Sequence, residues 1–415
     1  MSPPKLAIDL VGLFRETVAA LHPGPLVREY LLASPLLSDR SVPITLLALG
    51  KAAVPMALAT KELLGERVVD EVVVAPNLPA GAPATWIAST HPAISAASLA
   101  AGRALLRAAS DARGEILALI SGGGSALAAL PAPGLSLEEK SDLVSKVYAA
   151  GATIDELNVV RKHLSAIKGG RLALAASVPV TTLMLSDVVG DAHGTIASGP
   201  TVPDPSSYAD AVEIVQSLLG SEAQSPAIEH LRQGALGQRE DTPSVLASGE
   251  QVLLAGIAAL TAQAEVLAHA KGIATHRCLE PLEGNIEAMA AVVLAAGDQA
   301  GLWVGGGEAS IQLPENPGIG GRAQQLALHL AVAIEGRSNL QILVAGSDGI
   351  DGNSDAAGAM VDGSTCEQLR ELAMDPEHYL RCCDAGTALA RIGATILTGP
   401  TGVNHADLIL VSRTE

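Results

Sequence analysis

Residues 121–125 read SGGGS, three consecutive glycines between two hydroxyls, directly after the apolar run Glu115–Ile120. Glycine adds no packing and costs backbone entropy. The N–H groups of Gly122, Gly123 and Gly124 therefore suit close approach to an anion, with the hydroxyls of Ser121 and Ser125 alongside. A tight strand-to-helix turn without a ligand fits the same letters. Lys51 occupies a comparable place, after the apolar run Ile44–Leu49 and Gly50. An anion ligand and a solvated surface charge both fit there. His91-Pro92 follows the short segment Thr85–Ala88, where a histidine can line a cleft or cap a turn.

Further along, Arg161, Lys162, His163, Lys168 and Arg171 put five basic groups within eleven residues, with Gly169-Gly170 breaking the helical pattern. The patch reads either as a solvated helix face or as a receptor for carboxylate or phosphate. Ser186–Asp204 then mixes Asp187, Asp191 and Asp204 with glycines, prolines and hydroxyls after the strand pattern Val178–Leu185. Aspartates on such a loop can hold Mg²⁺ or take a proton from a hydroxyl. The second half repeats the theme. A glycine loop over Gly305–Ser310 carries Glu308, and Arg322 opens a helix, where a cation opposes the helix dipole. A ligand or a partner carboxylate would account for it. Asp348, Asp351 and Asp355 fall in one loop, Gly346–Asp362, whose spacing is not that of an EF-hand.

These residues need elements to hold them. Apolar runs at 44–49, 69–74, 85–88, 115–120 and 178–185 alternate with helical patterns at 52–64, 95–112, from 136 and 207–218. That alternation predicts a doubly wound, mostly parallel α/β sheet, whose ligands gather beyond the carboxyl ends of its strands. A helix over 5–21, stopped by His22-Pro23-Gly24-Pro25, precedes it. A second, smaller α/β domain follows, opening near Ser244–Glu250, with a helix at Val252–Lys271 and strands near Leu302–Val304, Gln341–Ala345, Ala394–Leu397 and Leu408–Val411. The expected division is 1–240 and 241–415, with the active site in the cleft between them.

The length of 415 residues suits two domains. Aromatics are only 2%, so the core must be aliphatic, and the 42 glycines cluster beside Ser, Asp and Thr as in ligand loops. A net charge of -18 argues against a nucleic-acid surface. The four cysteines show neither zinc spacing nor a disulfide framework, and no apolar run is long enough to cross a membrane. A cytoplasmic enzyme is expected, as a homodimer or a monomer.

The ordered set SGGGSA with LSAIKGGRLA, SDVVGD with IASGPTVPD, and GGRAQ with GSDGIDG and TGPTG resembles the glycerate 2-kinases of the second type, a family also labelled hydroxypyruvate reductase. The likeness spans about Gly50 to Leu410. It implies transfer of the ATP γ-phosphoryl group to the 2-hydroxyl of D-glycerate, with Mg²⁺ or Mn²⁺. The family's catalytic lysine and arginine match Lys51 and Arg322, and Asp191 matches its base or metal-orienting group. Asp187 and Asp191 are the implied metal ligands. The resemblance places Ser121–Ser125, Arg161, Lys168, Gly169, Gly170, Arg171, Ser198 and Gly199 on the substrate or phosphate wall. It places His91, Gly306, Glu308, Gly321, Asp348, Asp351, Gly399 and Thr401 on the nucleotide or cleft wall. Ala323, Gln325 and Val403 depart from the family pattern. Two other readings compete. An NAD(P)H-dependent reductase needs a GxGxxG fingerprint, and none occurs. A non-catalytic sugar-acid or phosphate-binding protein would keep the basic patch but has no need of aspartate-rich loops.

Overall fold

The computed structural model describes residues 8–34, 41–246 and 249–414. The start of the expected helix at 5–7, and Ala247-Ser248 in the expected opening of the second domain, lie outside the described residues. Contacts divide the chain into two compact units. One holds Pro23–Ser186 and Asp191–Leu254; the other holds the residues up to His22, Asp187–Gly190 and everything from Ala255.

In the first unit the strands are β1 (Ile44–Leu49), β2 (Val68–Ala75), β3 (Trp86–Ala88), β4 (Glu115–Ser121), β5 (Val180–Leu185) and β6 (Gln251–Ala255). Their order is β3-β2-β1-β4-β5-β6, parallel from β3 through β5. All six residues of β1 are buried, as are Ile116–Ser121 of β4. Burial on both faces explains why these strands read as unbroken apolar runs. The chain builds β2 and β3 to one side of β1, then returns to add β4 on the other. The order therefore reverses between β1 and β4, and their carboxyl ends form the switch point where ligands of such sheets bind. A helical layer accompanies the sheet, with Leu143, Val147, Leu157, Val160, Tyr208, Val215 and Leu231 in one core. Its helices start on reciprocal caps, Ser136 with Glu139 and Thr153 with Glu156, each satisfying orphan N–H groups at a helix start.

The second unit is a mixed sheet of β7 (Thr275–Arg277), β8 (Leu282–Asn285), β9 (Gly301–Ser310), β10 (Leu340–Gly346), β11 (Gly358–Asp362), β12 (Thr395–Ile396) and β13 (Asp407–Arg413). Its order is β12-β11-β10-β13-β9-β7, with β8 beside β9. The pairs among β12, β11, β10, β13 and β9 are antiparallel; β7 and β8 join β9 in parallel. Helices Ile286–Ala296 and Arg322–Ala333 pack Met289, Val293, Leu326 and Leu330 against Ile342, Val344 and Val411. Helix Leu10–Ala20 belongs to this unit and lies against helix Ile257–Ala270.

Four expectations are corrected. Pro23 does not only stop a helix: helix Pro23–Ala33 begins at it, because a helix's first position needs no N–H donor. Val252–Lys271 is not one helix; Gln251–Ala255 is strand β6 and Gly256 caps the helix that follows. A short apolar run before a glycine serves strand and helix alike until pairing decides. Gly305–Ser310 is no loop but the second half of β9, and the expected loop Gly346–Asp362 contains β11.

Candidate active site

The switch point is built by glycine geometry. Gly50 takes φ +131, and a Cβ there would lie 2.1 Å from the Ser121 hydroxyl oxygen, so only glycine lets the end of β1 close on the end of β4. Two hydrogen bonds lock the approach: Lys51 N–H donates to Gly122 O at 2.9 Å and Ala52 N–H to Ser121 Oγ at 3.0 Å. Ser121 thus positions the lysine turn, and its buried hydroxyl already accepts a bond. At Gly123, with φ +79, a Cβ would meet His91 Cδ2 and Lys51 Cγ, each at 3.2 Å, so the lysine and the histidine flank the glycine turn. Gly124 starts the short helix Gly124–Leu127 and packs against Ala197, whose Cβ would lie 2.6 Å from an added Cβ.

Behind this turn the segment 196–199 is clamped by the glycine pair. Gly169 N–H donates to Ser198 O at 3.0 Å and Gly170 N–H to Gly199 O at 2.7 Å. Ser198 shares a 2.6 Å hydrogen bond with Ser125 and donates to Asn158 Oδ1 at 2.9 Å. Ala197 and Ser198 both hold left-handed backbones (φ +52 and +60), a costly conformation outside glycine that this network maintains. Lys168 is buried and reaches Ser125 O at 3.1 Å.

The structure divides the basic patch. Lys162 forms a buried ion pair with Asp204 at 3.1 Å. His163 bonds Asp241 at 2.9 Å and Val159 O at 2.8 Å and packs edge-on against Tyr208, and Arg171 donates to Glu240 O at 3.0 Å. Only Arg161 and Lys168 face a cavity of about 230 Å³, whose wall also includes His91, Gly123, Ser125 and Lys140. No carboxylate lines it among the described residues. Sequence reasoning missed Lys140. It is 2% exposed and its Nζ has no hydrogen-bond partner. Its signal was its phase, three and seven residues before the buried Leu143 and Val147 on the inward stripe of helix Leu137–Ala149. Burial, with Arg161 nearby, lowers the Lys140 ammonium to about 7. Burial, with Lys140 and Arg161, takes Lys168 well below the usual lysine range.

In the second unit the carboxylate partner of Arg322 is Glu308 of β9. Asp351 caps the helix that Arg322 opens, accepting from Ala323 N–H at 3.1 Å and Gln324 N–H at 2.8 Å. Burial nevertheless raises its carboxyl to about 6. Asp407, which sequence reasoning also missed, starts β13 opposite Gly307 and Gly346. Burial pushes it well above the usual carboxylate range; Asp351, Glu308 and Asp348 add to that and Arg322 opposes it. Arg322 is thus the cation of an acidic cluster. Gly321 is needed for packing, since a Cβ there would lie 2.2 Å from Asp351 Oδ1. Gly306 is likewise packed under Thr261 and Ile257 of the neighbouring helix, at 2.9 and 3.0 Å from an added Cβ. Gly399 lies in the turn that presses its carbonyl against Gly349, and Asp348 O accepts from Thr401 N–H at 3.1 Å. Thr401 also lines a second cavity, of about 570 Å³, with Phe14, His22 and Leu397. Of the departures, Ala323 and Val403 are buried in packing and Gln325 donates to Leu380 O at 2.7 Å.

The loop Asp187–Asp191 supplies the remaining carboxylates. Asp187 accepts from Asn404 Nδ2 at 2.7 Å. Asp191 has φ +52, and its buried Oδ1 has no hydrogen-bond partner. Among the described residues no three His, Cys, Asp or Glu side chains gather to hold a metal. Mg²⁺ does not need such a cage, since it commonly uses one or two carboxylates with substrate phosphates and water, and the orphaned Asp191 oxygen fits that use. No helix among the described residues is long and apolar enough to cross a membrane.

An open parallel sheet with an anion-receptive switch point, and a second α/β unit with an arginine in an acidic cluster, define the class. Comparison with known proteins gives the family. Residues 9–232 match a family described as a domain of unknown function (DUF4147) and 301–407 the MOFRL family. The chain is 37% identical to the D-glycerate 2-kinase of Thermotoga maritima, over 98% of this chain and 97% of that one. It is 32% identical to the glycerate 2-kinase of Pyrococcus horikoshii, over 90% and 88%. A crystal structure of glycerate kinase from Thermotoga maritima superposes with TM-score 0.84 at 34% identity, covering 97% of this chain and 98% of that one. The chain belongs to the glycerate kinase family.

Proposed function

We infer that the protein is an ATP-dependent glycerate 2-kinase, which moves the γ-phosphoryl group of ATP to the 2-hydroxyl of D-glycerate. The bond from γ-phosphorus to the bridging oxygen breaks, and ADP leaves with that oxygen. The bond to the 2-hydroxyl oxygen forms, and the hydroxyl proton passes to a base. The observation that carries the reading is Lys51, locked to the glycine turn at the switch point and backed by a pocket lined by basic side chains and, among the described residues, no carboxylate. Lys51 and Arg322 are assigned to one reaction, as the charges that neutralise the phosphoryl group in flight. Phosphoryl transfer depends chiefly on such positioning and electrostatics. Asp191 is assigned as the proton acceptor or as a metal ligand. Asp187 and Asp191 would hold Mg²⁺, which when bound would neutralise phosphate charge.

A phosphorus NMR time course with ATP, Mg²⁺ and D-glycerate, with and without NADH, tests this. A 2-phosphomonoester growing as ATP falls is the expected result. ATP left intact while NADH is oxidised by hydroxypyruvate would replace the kinase with a reductase.

A further inference from the structure

The resemblance leaves the pocket behind the glycine turn open to substrate and to phosphate alike. Three cations approach it from separate elements: Lys140 from helix Leu137–Ala149, Arg161 from helix Ile154–His163, and Lys168 from the turn that follows. His91, after β3, is the remaining titratable group on its wall. Lys168 satisfies itself on backbone carbonyls at Ser125 and Ala128, 3.1 and 3.5 Å away, but carbonyls carry no net charge. Lys140 is buried with its Nζ unpartnered. Burying a cation among cations is unfavourable, and among the described residues no carboxylate on the wall offsets it. An anion would offset it, and Ser141 on the same wall carries a further hydroxyl, whereas the Ser125 hydroxyl hydrogen is engaged by Ser198. Size narrows the anion. At about 230 Å³ the cavity is smaller than the roughly 300–1,000 Å³ of pockets for drug-sized ligands, so a three-carbon acid suits it and a nucleotide does not.

Resting on the kinase reading, we propose that this pocket seats the carboxylate of the acceptor acid. Lys140, Arg161 and Lys168 hold that carboxylate, and Lys140 makes the enzyme select an acid over a neutral polyol. The geometry complements the lysine turn, because Gly123 is shared: it touches Lys51 and His91 and lines the pocket. The acid is thereby anchored next to the residue assigned to the phosphoryl group. Carboxylate binding favours the charged forms of Lys140, whose ammonium burial lowers to about 7, and of Lys168, which burial also lowers, so binding takes up protons at mildly alkaline pH.

Lys140→Met keeps the length of the side chain and removes the charge. In steady-state assays its KM for D-glycerate should rise about 10- to 100-fold, as for loss of a charge-assisted hydrogen bond, with kcat changed only a few-fold. Its KM for ATP should be unchanged, and its preference for D-glycerate over glycerol should shrink. A rise in KM for ATP in place of that for D-glycerate would assign the cations to a nucleotide phosphate and overturn the proposal. So would an unchanged KM for D-glycerate. Calorimetry gives a second readout: D-glycerate titrated near pH 8, in buffers of different ionisation enthalpy, should show proton uptake by the unmodified protein and less by Lys140→Met; no uptake, or equal uptake by the two, would refute the role of Lys140. If the unmodified protein fails to phosphorylate D-glycerate, the kinase reading fails; if it phosphorylates normally and Lys140→Met behaves identically, only this proposal fails.

Discussion

Replacing Lys140 by methionine should stabilise the folded protein near neutral pH even as it weakens acid binding, and the effect should fade as the pH rises. Burial lowers the ammonium from 10.5 to about 7. Below about 7 folded and unfolded chains both carry the proton, and the whole penalty of the buried charge is present. Between about 7 and 10.5 the unfolded chain holds a proton that the folded chain lacks, so folded-state stability rises with pH. At about 1.4 kcal/mol per unit, the full gap is of the order of 5 kcal/mol. From about pH 7.5 to 9.5 the unmodified protein should gain about 2.5 kcal/mol relative to Lys140→Met. Lys168 stays in both proteins but loses the repulsion of Lys140 in the variant, so the measured gap belongs to the coupled pair, with a size of this order of magnitude. Urea unfolding followed by circular dichroism at several pH values in this range, without D-glycerate or phosphate, measures the gap. Parallel pH profiles, or a methionine variant less stable than its parent at pH 7.5, would show that Lys140 is not a buried, uncompensated cation.

Lys51→Ala should lower kcat by at least about 100-fold while changing ATP affinity far less, because its charge matters most in the transition state; comparable turnover in a coupled ADP assay would remove Lys51 from the mechanism. Gly50→Ala must place a Cβ 2.1 Å from Ser121 Oγ at φ +131, and should cost about 1–3 kcal/mol in urea melts together with most activity; an alanine variant of normal activity would mean that the turn can relax. Asp204→Ala leaves Lys162 buried without its carboxylate and should cost about 3–5 kcal/mol by denaturant titration. If enough of that variant folds to assay, its KM for D-glycerate should stay normal, since Lys162 does not line the pocket.

The sequence by itself determined the parallel sheet of the first unit, because strands buried on both faces must be apolar throughout and the helices between them announce their own starts with caps. It also placed Lys51 and the glycine turn at strand ends, since the glycines there answer local backbone demands at Gly50 and Gly123. Tertiary structure decided the rest. Five basic residues adjacent in sequence were sorted only by three-dimensional packing, which sent Lys162 to Asp204 and His163 to Asp241 and left Arg161 and Lys168 facing the cavity. Glycines 305–307 look like a loop in one dimension; neighbouring strands and the Ile257–Ala270 helix make them a strand that tolerates close approach. Lys140 and Asp407 stand in no motif. Each became visible as a candidate only where folding took its charge away from water, and that is a property of the chain's distant parts meeting, which no local pattern encodes.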